Sequence, residues 1–317
     1  MVPTGSPRGG LPFEISAAFL AFADRGEKFA AWLDTLPGLV HDVVEEWELT
    51  YDGAPMHGYC ALVVPVRTTG GRPAVVKFAW PHDEEEHEHL ALQALQGNGM
   101  VRLYRADPKR HVMLLERLHP EDLTSVWDIE ACEITAGFYQ RIHIPAPPQL
   151  RTLTSYISRW NADMELLAKD APVPRRLVEQ SISLTRDFIG DPDSVGTMIH
   201  GDLHYENVLA ADREPWLVID PKPMSGDPHY EVAPLLWNRW KDVVGSGTVR
   251  EAVRRRFHTV VDTAELDEGR ARDWVVVREM HNALWTVEDA VHAGRGLTAE
   301  DNDWITRCIA IAKAVQD

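Results

Sequence analysis

The segment IHGDLHYENVLAADREPWLVIDPKP, residues 199–223, gathers His200, Asp202, His204 and Asn207 and then adds Asp220. Two chemistries can use such residues. A metal-binding reading takes His200, Asp202 and His204 as an H-x-D-x-H nest, a ligand set that zinc accepts. It needs further histidines at matching spacing, and His229, His258, His281 and His292 supply none. A phosphoryl-transfer reading uses more of the segment. That chemistry wants a carboxylate to receive the proton of an attacking hydroxyl, and an amide oxygen and a second carboxylate on Mg²⁺. Asp202 and Asn207 have the D-x-x-x-x-N spacing for it. The run NVLAADREPWLVID reads as a hairpin turning at ADREP, so its second strand returns Asp220 beside Asn207.

A second set of residues lies upstream. Lys77 sits mid-strand in AVVKFAW among apolar neighbours, where an unpaired ammonium is costly. Taken alone it reads as a snorkelling strand lysine. Taken with the downstream hairpin it reads as a phosphate-binding lysine, which needs a helix carboxylate as partner. The following segment, PHDEEEHEHLALQALQG, opens with Pro and acids and stops at Gly97, as a helix does. Glu88 is the expected partner because Leu92 and Leu95, at +4 and +7, share its face. Glu84, Glu85 and Glu86 are expected to face solvent.

These residues need a frame. Residues 26–47 read as a helix, a break near Pro37 and a second helix. WELTYDG and CALVVPVRTTGGRPAVVKFAW give three short strands, the last two joined by TTGGRP. MVRLYRADPKRHVMLLERL returns to strands. From about residue 120 the chain reads as mostly helical, with helices over 129–143, 174–190 and ARDWVVVREMHNALWTVEDAV. The first ten residues, MVPTGSPRGG, read as a loose terminus. The expected architecture is α+β. Residues 1–115 make a small antiparallel sheet lobe with one helix and leading helices, 116–121 a connection, and 122–317 a larger, mainly helical lobe.

Composition bounds the partners. The chain has 317 residues and a formal charge of −17, from 49 acids against 32 bases. That argues against nucleic acid, whose binding rests on cationic neutralisation of phosphates, and is compatible with a cationic ligand. Cys60, Cys132 and Cys308 are far apart and odd in number, so no disulfide framework is expected and a reducing compartment fits. ISAAFLAFAD imitates a signal-peptide core, but Glu14 at its edge and the lone Arg8 favour an amphipathic helix. No apolar run approaches the roughly 18 residues of a membrane helix. The expectation is a cytoplasmic protein with a small-molecule partner, no membrane and no nucleic acid, with a monomer favoured.

In order, VVKFAW, HEHLALQAL, MLLERL, IHGDLHYENVLA, WLVIDPKP and GDPHYEVA resemble the aminoglycoside phosphotransferase family. The nearest likeness is to its branch of streptomycin 6-phosphotransferases and hydroxyurea phosphotransferases, over roughly residues 40–300. The resemblance implies a bilobal, protein-kinase-like fold and the use of ATP and Mg²⁺. It implies Asp202 as catalytic base, Asn207 and Asp220 on Mg²⁺, Lys77 on the phosphates and Glu88 positioning Lys77. It further implies an adenine hinge at Glu116 to Leu118, with Leu209 and Ile219 beneath the base, and a structural His200. Two departures from protein kinases stand out. There is no G-x-G-x-x-G, so YDGAPMHGYCALVV must cover the phosphates with fewer glycines. Asp220 is followed by Pro221-Lys222, which implies a magnesium carboxylate without an activation switch.

The same resemblance implies an antibiotic-resistance kinase whose acceptor is an aminoglycoside hydroxyl, first the 6-hydroxyl of streptomycin. Hydroxyurea or another small metabolite is the alternative. Streptomycin bears two guanidinium groups, which call for carboxylates and aromatic faces. The second lobe offers Glu231, Asp242, Glu279, Glu288 and Asp289, with Trp237, Trp240 and Trp285. Glu288 and Asp289 in LWTVEDAV are the preferred pair. Asp227 and Glu231 open the helix after MSGDP, and capping and bracing of the catalytic loop is their alternative role. Hydroxyurea, small and uncharged, needs only a tight polar pocket. A drug-binding kinase fold without chemistry is disfavoured, because Lys77, Asp202, Asn207 and Asp220 are all present.

Overall fold

Apolar alternation around Lys77 builds the first sheet. In the computed structural model, which describes residues 11–82, 86–168 and 171–316, six strands form it: β1 (Thr50–Tyr51), β2 (Met56–His57), β3 (Ala61–Arg67), β4 (Pro73–Ala79), β5 (Leu103–Asp107) and β6 (Val112–Glu116). Their order is β1-β3-β4-β6-β5, with β2 also paired to β3, and every pairing is antiparallel. Side chains alternate between faces. Leu62, Val64, Val66, Ala74, Val76, Phe78, Val112 and Leu114 therefore share one buried face.

Against that face packs α2 (Glu27–Glu46), which follows α1 (Ala17–Leu20) and a 3-10 turn at Ala21–Arg25. Helix α2 runs unbroken through Pro37, where the sequence suggests a break. Phe29, Leu33, Leu36, Val40, Val43 and Val44 form one buried stripe on both sides of the proline. An interior proline costs about 3 kcal/mol, and burying six such side chains at about 1.5–3 kcal/mol each outweighs it. Helix α3 (Glu88–Leu95) ends in left-handed Gln96 and Gly97. Glu84 and Glu85 lie outside the described residues, and Glu86 is exposed.

Two units divide the chain: Met1–Gly97 with Val101–Leu118, and Asn98–Met100 with His119–Asp317. The short piece Asn98–Met100 belongs to the second because Met100 bridges to Val218, and the Val218 N–H donates to the Gly99 carbonyl at 3.0 Å. The second unit is mainly helical. It contains α4 (Asp128–Gly137), α5 (Tyr139–Ile142), α6 (Leu153–Leu166), α7 (Arg175–Gly190), α8 (Ala233–Trp237), α9 (Trp240–Gly245), α10 (Val249–Thr263), α11 (Glu268–His292) and α12 (Ala299–Ala314). Strands β7 (Thr197–Ile199) and β10 (Met224–Gly226) pair with each other, as do β8 (Val208–Ala210) and β9 (Trp216–Val218).

Helix α11 runs through the core of this unit. Its Trp274 stacks flat on Phe188 of α7 at 3.8 Å between centroids and meets Tyr230 edge-on. Among the described residues no helix is long and apolar enough to cross a membrane. Cys60, Cys132 and Cys308 form no disulfide.

Candidate active site

In the first unit, strand alternation turns Lys77 away from the α2 face, level with Val63 and Met113 on the neighbouring strands. Its Nζ donates to Glu88 Oε2 at 2.6 Å, and both side chains are buried. The spacing of Glu88, Leu92 and Leu95 does put the carboxylate on the packed side of α3. Farther along the sheet, Glu116 ends β6; its N–H donates to the Arg102 carbonyl at 2.9 Å, and its Oε2 accepts from the Arg102 N–H at 3.1 Å. The next residue, Arg117, donates to the Asp52 carbonyl at 3.1 Å and to its carboxylate. Asp52 also meets Arg67 at 3.1 Å. The Arg117 hydrogen bond is the main reason its carboxyl is lowered. The turn after β1 and the segment Glu116–Leu118 are thereby tied together.

In the second unit, the β8–β9 hairpin returns the chain as its turn residues demand. Val208 pairs with Val218, and the Ile219 N–H donates to the Asn207 carbonyl at 2.9 Å. Asp220, in the left-handed region at φ 57°, comes next. Asn207 Nδ2 donates to the Asp202 carbonyl at 2.8 Å and approaches His204 Nε2 at 3.1 Å. Hydrogen bonding thus joins Asp202, Asn207 and the strand leading into Asp220. Asp202 keeps 39% of its side chain exposed. Leu209 and Ile219, on and just after the hairpin strands, are half-buried.

His200 holds the loop from below. Its Nε2 donates to the Ile219 carbonyl at 2.9 Å, and its Nδ1 accepts from the Asp202 N–H at 3.2 Å. Both ring nitrogens are committed, and burial lowers its pKa, so it is a neutral structural imidazole and the H-x-D-x-H metal nest does not form. Gly201, at φ +83°, has to be glycine: a Cβ there would strike the Lys222 carbonyl oxygen. The Lys222 N–H donates to the His200 carbonyl at 2.7 Å, and its Nζ to Asp220 Oδ1 at 3.0 Å.

Glu231 has no exposed surface. Its Oε1 accepts from the Gly201 N–H at 2.6 Å and its Oε2 from His143 Nε2 at 2.7 Å. Burial pushes its carboxyl up, but the His143 and His200 rings and the Gly201 N–H outweigh it and leave the pKa lowered. A carboxylate enclosed in this way braces the loop at Gly201 and has no exposed oxygen to offer a ligand. Arg278, buried in α11, donates to the Gly201 carbonyl at 2.7 Å and lies over the Tyr230 ring at 4.3 Å. Asp227 accepts from Trp274 Nε1 at 2.6 Å, from Arg270 Nε at 2.5 Å and from His229. His143 and Arg278 carry no local sequence signal for this work.

Of the other acids of this unit, Glu279 is enclosed and Asp242 is exposed. Glu279 is wholly buried, and desolvation raises its carboxyl to about 8. Asp242 pairs with Arg239. Arg278 lies over Trp237, and Arg307 over Trp240. Glu288 and Asp289, near the end of α11, are half-buried and exposed respectively. Glu288 is raised first by desolvation and then by Asp163 of α6, a carboxylate the sequence did not single out. Trp285 beside them packs edge-on against Trp160 at 5.0 Å and Tyr156 at 6.3 Å.

The donor set suits Mg²⁺. Asn207 spends its NH₂ group on Asp202 and His204, which leaves its amide oxygen as the ligand atom, and Asp220 adds a carboxylate from the adjoining strand. Among the described residues no three His, Cys, Asp or Glu side chains cluster as a self-sufficient metal site. Mg²⁺ is commonly held by one or two protein oxygens with substrate phosphates and water completing its shell.

Comparison with known proteins agrees with this geometry. Residues 46–290 match the family described as aminoglycoside/hydroxyurea antibiotic resistance kinase. The chain is 40% identical over 285 residues to a streptomycin 6-kinase of Streptomyces glaucescens, covering 88% of this chain and 91% of that one. It is 36% identical over 266 residues to a hydroxyurea phosphotransferase of Kitasatospora aureofaciens, covering 81% and 75%. An aminoglycoside phosphotransferase solved as a ternary complex with ADP and hygromycin B superposes with a TM-score of 0.57 at 15% identity, covering 87% of this chain and 98% of that one. That likeness concerns the protein-kinase-like fold. The family match runs from before Lys77 to beyond Asp289 and so encloses the candidate site residues of both units; the chain belongs to the aminoglycoside/hydroxyurea antibiotic resistance kinase family.

Proposed function

We propose that the chain is an ATP- and Mg²⁺-dependent phosphotransferase acting on an aminoglycoside hydroxyl, the 6-hydroxyl of streptomycin, and thereby conferring resistance. The observation that carries the reading is the hairpin that ties Asp202, Asn207 and the strand into Asp220 together. In this reading Asp202 receives the proton of the acceptor hydroxyl as that oxygen attacks the terminal phosphorus of ATP, and the bond from that phosphorus to the bridging oxygen breaks to release ADP. Asn207 and Asp220 hold Mg²⁺, which supplies charge neutralisation on the phosphates when bound. Lys77, fixed by Glu88, contacts the phosphates. The backbone of Glu116–Leu118 serves the adenine edge, and Leu209 and Ile219 supply apolar surface to the ring. Glu231 acts as a brace of the loop rather than as an acceptor ligand.

For the acceptor, helix α11 supplies the argument. Arg278 touches Gly201 in the catalytic loop. Trp285 and Asp289, at +7 and +11, lie on the same helical face as Arg278. Asp289 is about 16 Å farther along the axis at a 1.5 Å rise per residue. Carboxylates at that distance from the loop suit a multi-ring cationic acceptor better than hydroxyurea. The 40% identity to a streptomycin 6-kinase over nine-tenths of its length supports the same choice.

The test is coupled ADP release with Mg-ATP, running streptomycin and hydroxyurea side by side. Turnover with streptomycin is expected. Asp202→Ala should lower it by about 10²–10⁴, the reach of a general base, while Mg-ADP binding persists. Turnover with hydroxyurea alone would replace the acceptor and keep the mechanism. Full activity in Asp202→Ala would overturn the assignment of the base.

A further inference from the structure

The strands β2 and β3 are joined by Gly58-Tyr59-Cys60, and the Gly58 N–H donates to the Ala61 carbonyl at 2.9 Å. On the nucleotide reading above, this hairpin covers the phosphates. A glycine-rich phosphate loop lets its backbone approach the ligand closely. Here the tip carries Tyr59, 74% exposed, and something must hold it.

The segment preceding the sheet makes that contact. Arg25, at the end of the 3-10 turn, donates from Nη1 to the Tyr59 carbonyl at 2.5 Å. Its guanidinium carbon lies 3.3 Å from the Tyr59 ring centroid and 3.8 Å from that of Phe22, so the cation sits against two aromatic faces. The Phe22 and Tyr59 rings are themselves 5.7 Å apart. The buried Phe19 ring lies 5.0 Å from His57 of β2. Phe19, Phe22 and Arg25 thus touch both the β2 strand and the tip of the hairpin. All three precede residue 46, where the family match begins.

We propose that Arg25 is a positioning residue for the nucleotide site. Through Tyr59 it holds the hairpin in its phosphate-covering form before nucleotide arrives, which lowers the ordering cost of binding. The inference rests on the nucleotide reading of this hairpin.

The experiment is calorimetric titration of the full chain with Mg-ADP, comparing wild type with Arg25→Ala, Arg25→Lys, Tyr59→Ala and the Arg25→Ala/Tyr59→Ala double variant. Arg25→Ala should weaken Mg-ADP by about three- to tenfold, the scale of one exposed cation–π contact with its hydrogen bond. Arg25→Lys, with charge but no planar fork, should fall between. The double variant should lose no more than the worse single one. In the turnover assay the KM for ATP should rise by the same factor while the acceptor KM stays fixed. Amide exchange at residues 53–60 should quicken while α2 stays protected, which separates a loosened hairpin from a damaged fold. Wild-type binding with an unchanged Kd in Arg25→Ala, or additive losses in the double variant, would overturn the proposal alone. Wild type that binds no Mg-ADP would overturn the nucleotide reading, and this proposal with it.

Discussion

Replacing Glu279 by Gln tests whether the acidity of the helical unit is available to a cation. Glu279 is wholly buried in α11, and desolvation raises its carboxyl from 4.5 to about 8. Between those values the folded chain keeps a proton that the unfolded chain has released. Stability therefore falls as pH rises through this window, by up to about 1.4 kcal/mol per pH unit. Relative to pH 4, the accumulated loss is about 2 kcal/mol at pH 6 and about 3 kcal/mol at pH 7. Glutamine keeps the shape and never ionises, so the variant escapes the loss. Every other titrating group is common to both proteins and cancels in the difference. Urea unfolding of both proteins at pH 5, 6 and 7 should show a gap that favours Glu279→Gln and widens with pH. Its kcat/KM for streptomycin should equal that of wild type. A gap independent of pH, or a variant less stable at pH 7, would refute the reasoning, because it would mean an ionised and partnered Glu279. A raised streptomycin KM would return this residue to the acceptor site.

Three further substitutions probe the two units separately. Glu88→Gln removes the charge that holds Lys77 Nζ at 2.6 Å; breaking a buried pair costs about 3–5 kcal/mol, so thermal unfolding should begin earlier and the KM for ATP should rise, and an unchanged melting temperature would show the pair to be dispensable. Asp163→Asn and Glu288→Gln should each raise the KM for streptomycin several-fold, on the scale of about 1 kcal/mol for a partly exposed charge contact, and leave that for ATP alone; equal effects on both substrates would place these carboxylates outside the acceptor site.

Local signals are legible in the sequence where one element decides the outcome. Glu88 could be chosen over its acidic neighbours because Leu92 and Leu95 fix the packed face of one short helix. Asp220 could be brought to Asn207 because a hairpin needs only its turn and two short strands. Pro37 misled, since a local rule about proline met a long apolar stripe that only tertiary packing reveals. Helix α12 has a legible start in the capping box of Thr298 and Asp301. Glu231 illustrates the harder case. Its partners are His143, 88 residues upstream, and Gly201, 30 residues upstream. No periodicity couples positions so far apart. Asp163 was missed for the same reason, because its relation to Glu288 exists only once α6 and α11 lie side by side.

The net charge of −17 takes on a different meaning after this sorting. Of five carboxylates that composition offered to a cationic acceptor, Glu231 is spent on the loop, Asp242 is exposed but already paired with Arg239, and Glu279 is buried with its carboxyl pushed up to about 8 by desolvation. Glu288 and Asp289 remain, joined by Asp163. All the surviving candidates lie toward the C-terminal ends of α6 and α11. Earlier in α11, Trp274 grips Asp227 and Arg278 grips Gly201. One helix therefore carries the brace of the catalytic loop in its buried part and the candidate acceptor face at its open end. If the acceptor binds at the open end, as proposed, substitutions there should retune acceptor choice without disturbing hydrogen bonds that fix Asp202, since the two sets of side chains are separated by two or more helical turns. That separation gives a physical route to a change of acceptor with the loop around Asp202 left intact.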